Sequence, residues 1–437
     1  MTTQTRAQRR TVSEERSADL AAGLGGLFWP VVITALVLAG AFLGPAALQE
    51  PVRGGVPVDG RLEVGTAYLL FGPLFNVLDT LSILTLDQHY AVLATLIGGF
   101  AIWRVARRRT GRGALRRIRV ELGVAVVSLL GLVAFYAYGI VGPRPMAALV
   151  VDDPAAVVVD FHSHTDKSHD GRPGFDAERN REWHAAGGFD AVYVSDHRTY
   201  QGYAEGAAAN PPRAGDGTVL LPALEIKFAG KYASVLGPAW RYRAAMDGND
   251  LVADSLYVVV GRGAPRPTLV LTIPGGLDDI PAEDGDRIGY VAVEVSDASP
   301  RGLEQSRQDR RKILALADSL NLALVASSNN HGWGRTTAAW TVLEIPGWRA
   351  MSALQLSDAI EARLHADRRS ASRVVERRIP YPGASPAALA LTVPAITWQM
   401  FGGLGPAERI AWLAWTWGLV LALLPITRGL RKRAPSR

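Results

Sequence analysis

Val157-Val158-Val159-Asp160-Phe161-His162-Ser163-His164-Thr165 is a β-branched run that ends in polar side chains able to bind a metal. Side chains alternate along an extended strand, so Asp160, His162 and His164 fall on one side, and two imidazoles at that spacing can hold one ion. Asp160 is then placed to orient a ligand imidazole from behind. Three further β-rich runs end in the same way: Val192-Tyr193-Val194-Ser195-Asp196-His197, Leu224-Glu225-Ile226-Lys227 and Ala326-Ser327-Ser328-Asn329-Asn330-His331. The loop Thr165-Asp166-Lys167-Ser168-His169-Asp170-Gly171 adds another carboxylate and imidazole. A lone pair of histidines is common in turns, but four such strand ends use five of the chain's eight histidines, counting His169.

Outward from that run, β-rich segments recur at 157–161, 191–195, 219–226, 232–236, 268–273, 290–295 and 322–327. Polar, helix-favouring stretches such as 175–186 and 303–320 lie between several of them. Repeated strand-helix alternation predicts an α/β domain with a parallel sheet, and seven such strands in one domain predict a barrel. Chemistry in barrels of this kind collects at the C-terminal strand ends, where the polar residues fall.

The motifs DFHSHT, SHDG, VSDH, ALEI and SNNH together resemble the polymerase and histidinol phosphatase (PHP) superfamily, over residues 157–340. The run Trp183-His184-Ala185-Ala186-Gly187-Gly188-Phe189-Asp190 is similar to the family's approach to its Asp-His motif. The resemblance implies a distorted (β/α)7 barrel that hydrolyses phosphate esters with His/Asp/Glu-bound zinc, manganese or iron, here one or two ions. It implies His162 and His164 on one ion, Glu225 bridging two, and Asp170, His197 and His331 on another, with Asn329 a further metal ligand. Departures accompany it: Asn329 stands where the family has aspartate, and Tyr232 and Ile273 stand where it has histidines. The candidate catalytic residues are Asp170, Glu225, Lys227 and His169, the last also readable as a ligand or a plain loop residue. Lys227 leads Lys167, Arg198 and Arg335 as a rim cation that could replace a missing ion. Glu294 and Asp297 lie at the rim as outer partners at most, His184 reads as a packing or hydrogen-bonding residue, and His89 and His365 fall outside the motifs. The expected substrate is a phosphorylated small molecule or a phosphodiester. The alternative is a degenerate domain that binds an anionic ligand or partner without turnover.

A hydrophobic content of 48% over 437 residues directs attention to membrane segments. Residues 27–48, 90–105, 122–141 and 410–426 each approach the ~20 apolar residues that cross a bilayer. Arg6, Arg9, Arg10 and Arg16 precede the first; Arg104, Arg107, Arg108, Arg109, Arg112, Arg116, Arg117 and Arg119 lie between the second and third; Arg428, Arg431, Lys432 and Arg433 follow the last. Basic residues mark the cytoplasmic side, so four crossings with an extracytoplasmic catalytic domain are expected. Apolar segments 66–86 and 386–401 read as interfacial or bundle-packed. The expected organisation is a cytoplasmic tail (1–26), a membrane region with about three spans (27–149), the barrel domain (150–380), and a linker with the last span and a basic tail (381–437). The net charge of +6 resides largely in these clusters, which favour anionic lipid over specific nucleic-acid binding. The basic stretch 363–378 reads as a solvated helix face. With no cysteine, thiolate metal sites, disulfides and cysteine nucleophiles are excluded.

Overall fold

The computed structural model describes residues 27–106, 114–228, 231–252, 267–273, 289–379 and 385–433. The strands are β1 (Leu48–Gln49), β2 (Gly60–Val64), β3 (Ala147–Val151), β4 (Ala156–Ser163), β5 (Ala191–Val194), β6 (Val219–Phe228), β7 (Lys231–Leu236), β8 (Met246–Asp247), β9 (Asp250–Leu251), β10 (Thr268–Leu271), β11 (Tyr290–Asp297), β12 (Ala323–Ser327), β13 (Ala339–Glu344) and β14 (Ser372–Arg377). Ten of them form one sheet in the order β1-β14-β13-β4-β5-β6-β7-β10-β11-β12, while β2 pairs with β3 and β8 with β9.

All seven expected strands are present, but the sheet is mixed where the sequence suggested parallel pairing. β4, β5 and β6 are parallel, as are β10, β11 and β12, and β7 runs antiparallel between the two sets. Only two residues separate β6 from β7, too few for a crossover, so a hairpin is forced. β13 and β14 extend the other flank of β4 antiparallel. The sheet is open and curled. Thr341 of β13 bonds both the amide and the carbonyl of Ala326 in β12, at 2.7 and 2.9 Å. Asn329 donates to the His162 carbonyl and His164 to the Asn330 carbonyl, both at 2.8 Å. The segment after β12 is thereby pulled against the C-terminal end of β4.

Every residue of β4, β5, β10, β11 and β12 is buried, which explains their near-continuous apolar runs. Val157, Val159 and Phe161 pack in one core with Leu356, Ile360 and Leu364, successive i, i+4 positions of the Ala353–Asp367 helix. Ser352 and Gln355 cap that helix reciprocally. The Ala177–Gly187 helix is capped by Asp176 and ends at Gly188 (φ +83°), where a Cβ would collide with the backbone of Leu149. The helical stretch 303–320 is two helices, Pro300–Gln308 and Arg310–Ser319, meeting at Asp309.

Asp190 joins the N-terminal ends of three strands: its carboxylate and amide bond Val158, and its carbonyl accepts from Val219. Burial pushes its carboxyl up to about 6, against the opposing pull of the Val158 amide and Arg349. The folded chain therefore holds a proton that the unfolded chain has lost, and stability falls as pH rises from about 4 to about 6. Asp190→Asn keeps an oxygen for Val158 and is expected to stabilise the fold by on the order of 2 kcal/mol at neutral pH, with no gain below pH ~4. Thermal unfolding at the two pH values checks this; equal shifts at both would contradict it.

Among the described residues, two helices are long and apolar enough to cross a membrane: Leu86–Ala106 (mean hydropathy 1.3) and Ile118–Val141 (mean hydropathy 2.3). Their apolar stretches are 6% and 0% buried, so most of both surfaces is uncovered among the described residues. The apolar helix Leu27–Leu43 is shorter, and the expected last span lies within the helix Pro406–Arg433. Segments 66–86 and 386–401 fold largely as short helices, Thr66–Leu70, Gly72–Ser82, Pro386–Ala390 and Thr392–Gly403, packed with the longer ones through Val37, Phe401, Leu404 and Trp412 and through Leu84, Val92 and Ile396. The arginines before residue 27 and those at 107–112 lie outside the described residues.

The stretch 363–378 differs from the expected solvated helix face. Its second half is β14, with Val374, Val375 and Glu376 buried. Arg373 pairs with Glu50 (3.0 Å) and Asp59, and Arg377 bonds Asp79 (3.3 Å). Asp79 also accepts from Arg144, from Thr336 at 2.9 Å and from Tyr68 at 3.1 Å, in a buried seam between the apolar helices and the sheet.

Candidate metal centre

The C-terminal ends of β4 and β6, the turns after β5 and β12, and the loop following β4 converge on one buried cluster. Glu225 Oε2 lies 3.4 Å from His162 Nε2, 3.5 Å from His164 Nε2 and 3.0 Å from His197 Nδ1. Asp170 Oδ2 lies 3.3 Å from His197 Nε2 and 3.2 Å from His331 Nε2. Among the described residues, three groups of side chains have donor atoms close enough to share a cation: His162, His164 and Glu225; His164, His197 and His331; and His169, Asp170 and His197.

Hydrogen bonding behind the imidazoles fixes which nitrogen faces inward. His331 Nδ1 bonds the Asn329 carbonyl at 2.9 Å, an acceptor only, so Nδ1 carries the proton and Nε2 presents its lone pair. Ser168 Oγ donates to Asp196 (3.2 Å), leaving it to accept from His164 Nδ1 at 2.9 Å. His162 Nδ1 faces the Glu294 carboxylate at 2.9 Å. The Nε2 atoms of His162 and His164 oppose each other at 2.9 Å, so a proton or a cation has to sit between them. Four imidazoles, His162, His164, His197 and His331, with the carboxylates of Glu225 and Asp170 are a donor set that suits divalent zinc, manganese or iron.

The electrostatics are strongly mutual. Burial alone would raise the Glu225 carboxyl, but His162, His197 and His331 outweigh it and hold it below the usual carboxylate range. Burial also works against a charged His162, yet Glu225 and Glu294 keep that imidazole well above its ordinary value. His164, with burial and four surrounding imidazoles, is driven well below it. Burial and the charge of Glu294 push Asp297 up to about 7.

The remaining sequence candidates divide. His169 lies at the exposed edge of the cluster, its ring 4.8 Å from that of His197. Asn329 directs its amide N–H to Asp297 at 3.0 Å, while its Oδ1 is buried without a hydrogen-bond partner among the described residues. Tyr232 stands 6.4 Å from His197, ring to ring, and Ile273 is buried with its amide on Glu294. Of the rim cations, Lys227 is exposed, 5.9 Å above the Tyr232 ring, Lys167 pairs with Glu205, Arg198 reaches the Leu251 carbonyl and Arg335 reaches the Arg144 carbonyl.

Asp160 departs from its expected role. Its carboxylate takes the amides of His162 and Ser328 and the ring of buried His184, bracing β4 against the turn after β12. Glu294, one strand further along the curl, is the carboxylate that meets His162, and Ser168 and Asn180 are further supports that the sequence reading passed over. Asn180 donates to the His164 carbonyl and to Ser163, both at 2.8 Å. Its place on a helix preceding β5 gave no sequence signal of this.

No protein-family model and no curated protein matches the chain. Among solved structures it is similar to PsfC from Pseudomonas syringae, with 20% identity over 55% of this chain and 98% of that one and a TM-score of 0.36. It is also similar to a two-domain protein from Bacteroides vulgatus containing a predicted PHP-like metal-dependent phosphoesterase (14% identity, 53% and 68% coverage, TM-score 0.33). A third is an amidohydrolase from Chromobacterium violaceum with bound sulfate and no metal (17% identity, 46% and 96% coverage, TM-score 0.29). At these values the chemistry of this chain has to be read from its own residues.

Proposed function

We propose that the chain is a membrane-anchored, metal-dependent phosphoesterase of the PHP type, with its β domain outside the cytoplasm. The observation that carries this reading is the Glu225 carboxylate facing His162, His164 and His197, beside the Asp170–His331 pair. His162, His164 and Glu225 would hold one divalent ion, and Asp170, His197 and His331 another, with Glu225 shared and the Asn329 oxygen available to the second. Bound there, such ions polarise a phosphoryl oxygen and lower the pKa of a coordinated water. The chain's own part is to aim the imidazoles: Glu294, Ser168 and the Asn329 carbonyl fix the rings of His162, His164 and His331 from behind. Asp170, partly exposed, and His169 at the edge are in position to move protons between the site and solvent.

Tyr232, Ile273 and the amide of Asn329 favour a second reading, a domain that binds an anion without turnover. The two are separated by purifying the full chain in detergent, measuring bound metal, and assaying generic phosphomonoesters and diesters. Chelation is expected to abolish hydrolysis, and manganese, zinc or iron to restore it. Metal-free protein inactive under every condition would sink the phosphoesterase reading. Activity that appears only in Asn329→Asp would favour the binding reading.

A further inference from the structure

Beside the candidate centre, a cavity of about 360 Å³ opens between the end of the Ala114–Val141 helix and the loop that follows His331. Ile140 and Val141 form one wall, and Arg172, Arg179, Arg335 and Glu182 supply the charge. The bonds of the three guanidinium groups go to the carbonyls of Gly332, Gly174 and Arg144, and among the described residues none forms an ion pair. One glutamate against three arginines leaves two positive charges in excess. Burial and the like charge of Arg144 push Arg335 below the usual arginine range, with Glu182 a partial offset.

The cavity is tied to both neighbours. Gly334 donates to the Ile140 carbonyl at 2.8 Å, so the His331 loop is bonded to the last turn of an apolar helix whose Phe135 and Tyr138 pack on Tyr68, Phe75 and Leu78 while Ile140 and Val141 stay exposed. Arg172, two residues after Asp170, donates its amide to the His331 carbonyl at 2.9 Å. Its guanidinium lies 5.5 Å from the Trp333 ring, and Trp333 is 50% exposed. Tryptophan beside an arginine at the end of a membrane-length helix is the composition of the headgroup layer.

We infer that this cavity receives the phosphate head group of a bilayer lipid, so that the substrate class is a membrane-embedded phosphate ester delivered sideways to the His331 rim. The catalytic half of that statement rests on the phosphoesterase reading; the binding half does not. A free phosphate shares the head group's chemistry but gains nothing from the apolar wall.

Binding without turnover is the test. The full chain is placed in phosphatidylcholine nanodiscs doped with phosphatidic acid, and phosphatidate retention is measured against inorganic phosphate as soluble competitor. The expected result is phosphatidate enriched over phosphatidylcholine, resistant to inorganic phosphate, and weakened roughly thirtyfold in Arg179→Gln/Arg335→Gln, at the worth of two surface arginines toward anionic lipid. Glu182→Gln, at an exposed position, should tighten retention several-fold, which keeps the test valid if the double variant misfolds. No enrichment, equal displacement by inorganic phosphate, or indifference to Glu182→Gln each overturns the inference. Selective retention by a chain that hydrolyses no phosphate ester would leave the cavity assigned and refute only the phosphoesterase reading.

Discussion

Glu225→Gln is expected to strip the centre of metal and to lower phosphate-ester hydrolysis by more than about 100-fold, while the chain remains folded. Loss of a partner behind a metal ligand costs 10–100-fold, and Glu225 faces the cluster directly, so the effect should exceed that range. Its carboxylate oxygen meets three imidazoles within 3.5 Å, and its side chain is 4% exposed, so no solvent replaces the lost charge. The backbone holds the residue in place independently of its charge: its amide donates to Asp196 at 3.2 Å and its carbonyl accepts from Arg198 at 3.0 Å. Glutamine fills the same volume there, so the substitution removes the charge and one acceptor oxygen without opening a cavity. Removing His162 and His164 together is a poorer experiment, because it leaves Glu225 and Glu294 buried without their partners and confounds metal loss with unfolding. Metal analysis with kcat/KM on purified full-length protein decides it, with circular dichroism as the folding control. Wild-type metal content and activity in Glu225→Gln would remove Glu225 from the centre.

The ligand-type residues were legible because each ends an apolar β run or sits in the loop that follows one, so a change from β-branched to His, Asp or Glu marks the strand end directly. Their supports were legible only in part: Glu294 reads as an outer partner at the rim and His184 as a hydrogen-bonding residue, but which groups they meet does not show in the sequence. Glu294 ends up against His162 across 132 positions of sequence, and Asp160 turns away to His184, because the curl of the sheet decides which strand end meets which. Ser168 orients His164 from four residues away, yet a serine in a loop carries no pattern. β14 was hidden for a related reason. Arg373 and Arg377 on either side of Val374, Val375 and Glu376 look like a solvated charge run until Glu50, Asp59 and Asp79 arrive from the N-terminal region to pair with them. The two membrane-length helices were readable from apolarity alone, but the polar residues that fasten the helices to the sheet were not, since their partners are 65 to 298 positions apart.

That fastening sets the second large effect: Asp79→Asn is expected to destabilise the chain by about 3–5 kcal/mol, the usual cost of breaking a buried ion pair from one side. The Arg144 side chain is fully buried and that of Asp79 is 3% exposed, so neither can turn to water. Asp79 serves Arg144, Arg377, Thr336 and Tyr68 at once, and its neutral replacement leaves two guanidinium groups sharing one amide oxygen. The break would fall where the Gly72–Ser82 helix meets the loop after His331 and the end of β14, so metal retention should weaken along with stability. Replacing both charges separates pairing from burial. Asp79→Leu/Arg144→Met removes the carboxylate and the more deeply buried cation together, and should recover part of the loss, because a buried pair exchanged for apolar groups is often near neutral. Full recovery is not expected while Arg377 keeps its charge. Thermal unfolding of the four variants of the cycle in one detergent measures the coupling, and additive losses from Asp79→Leu and Arg144→Met would show that the pair does not hold the helices to the sheet.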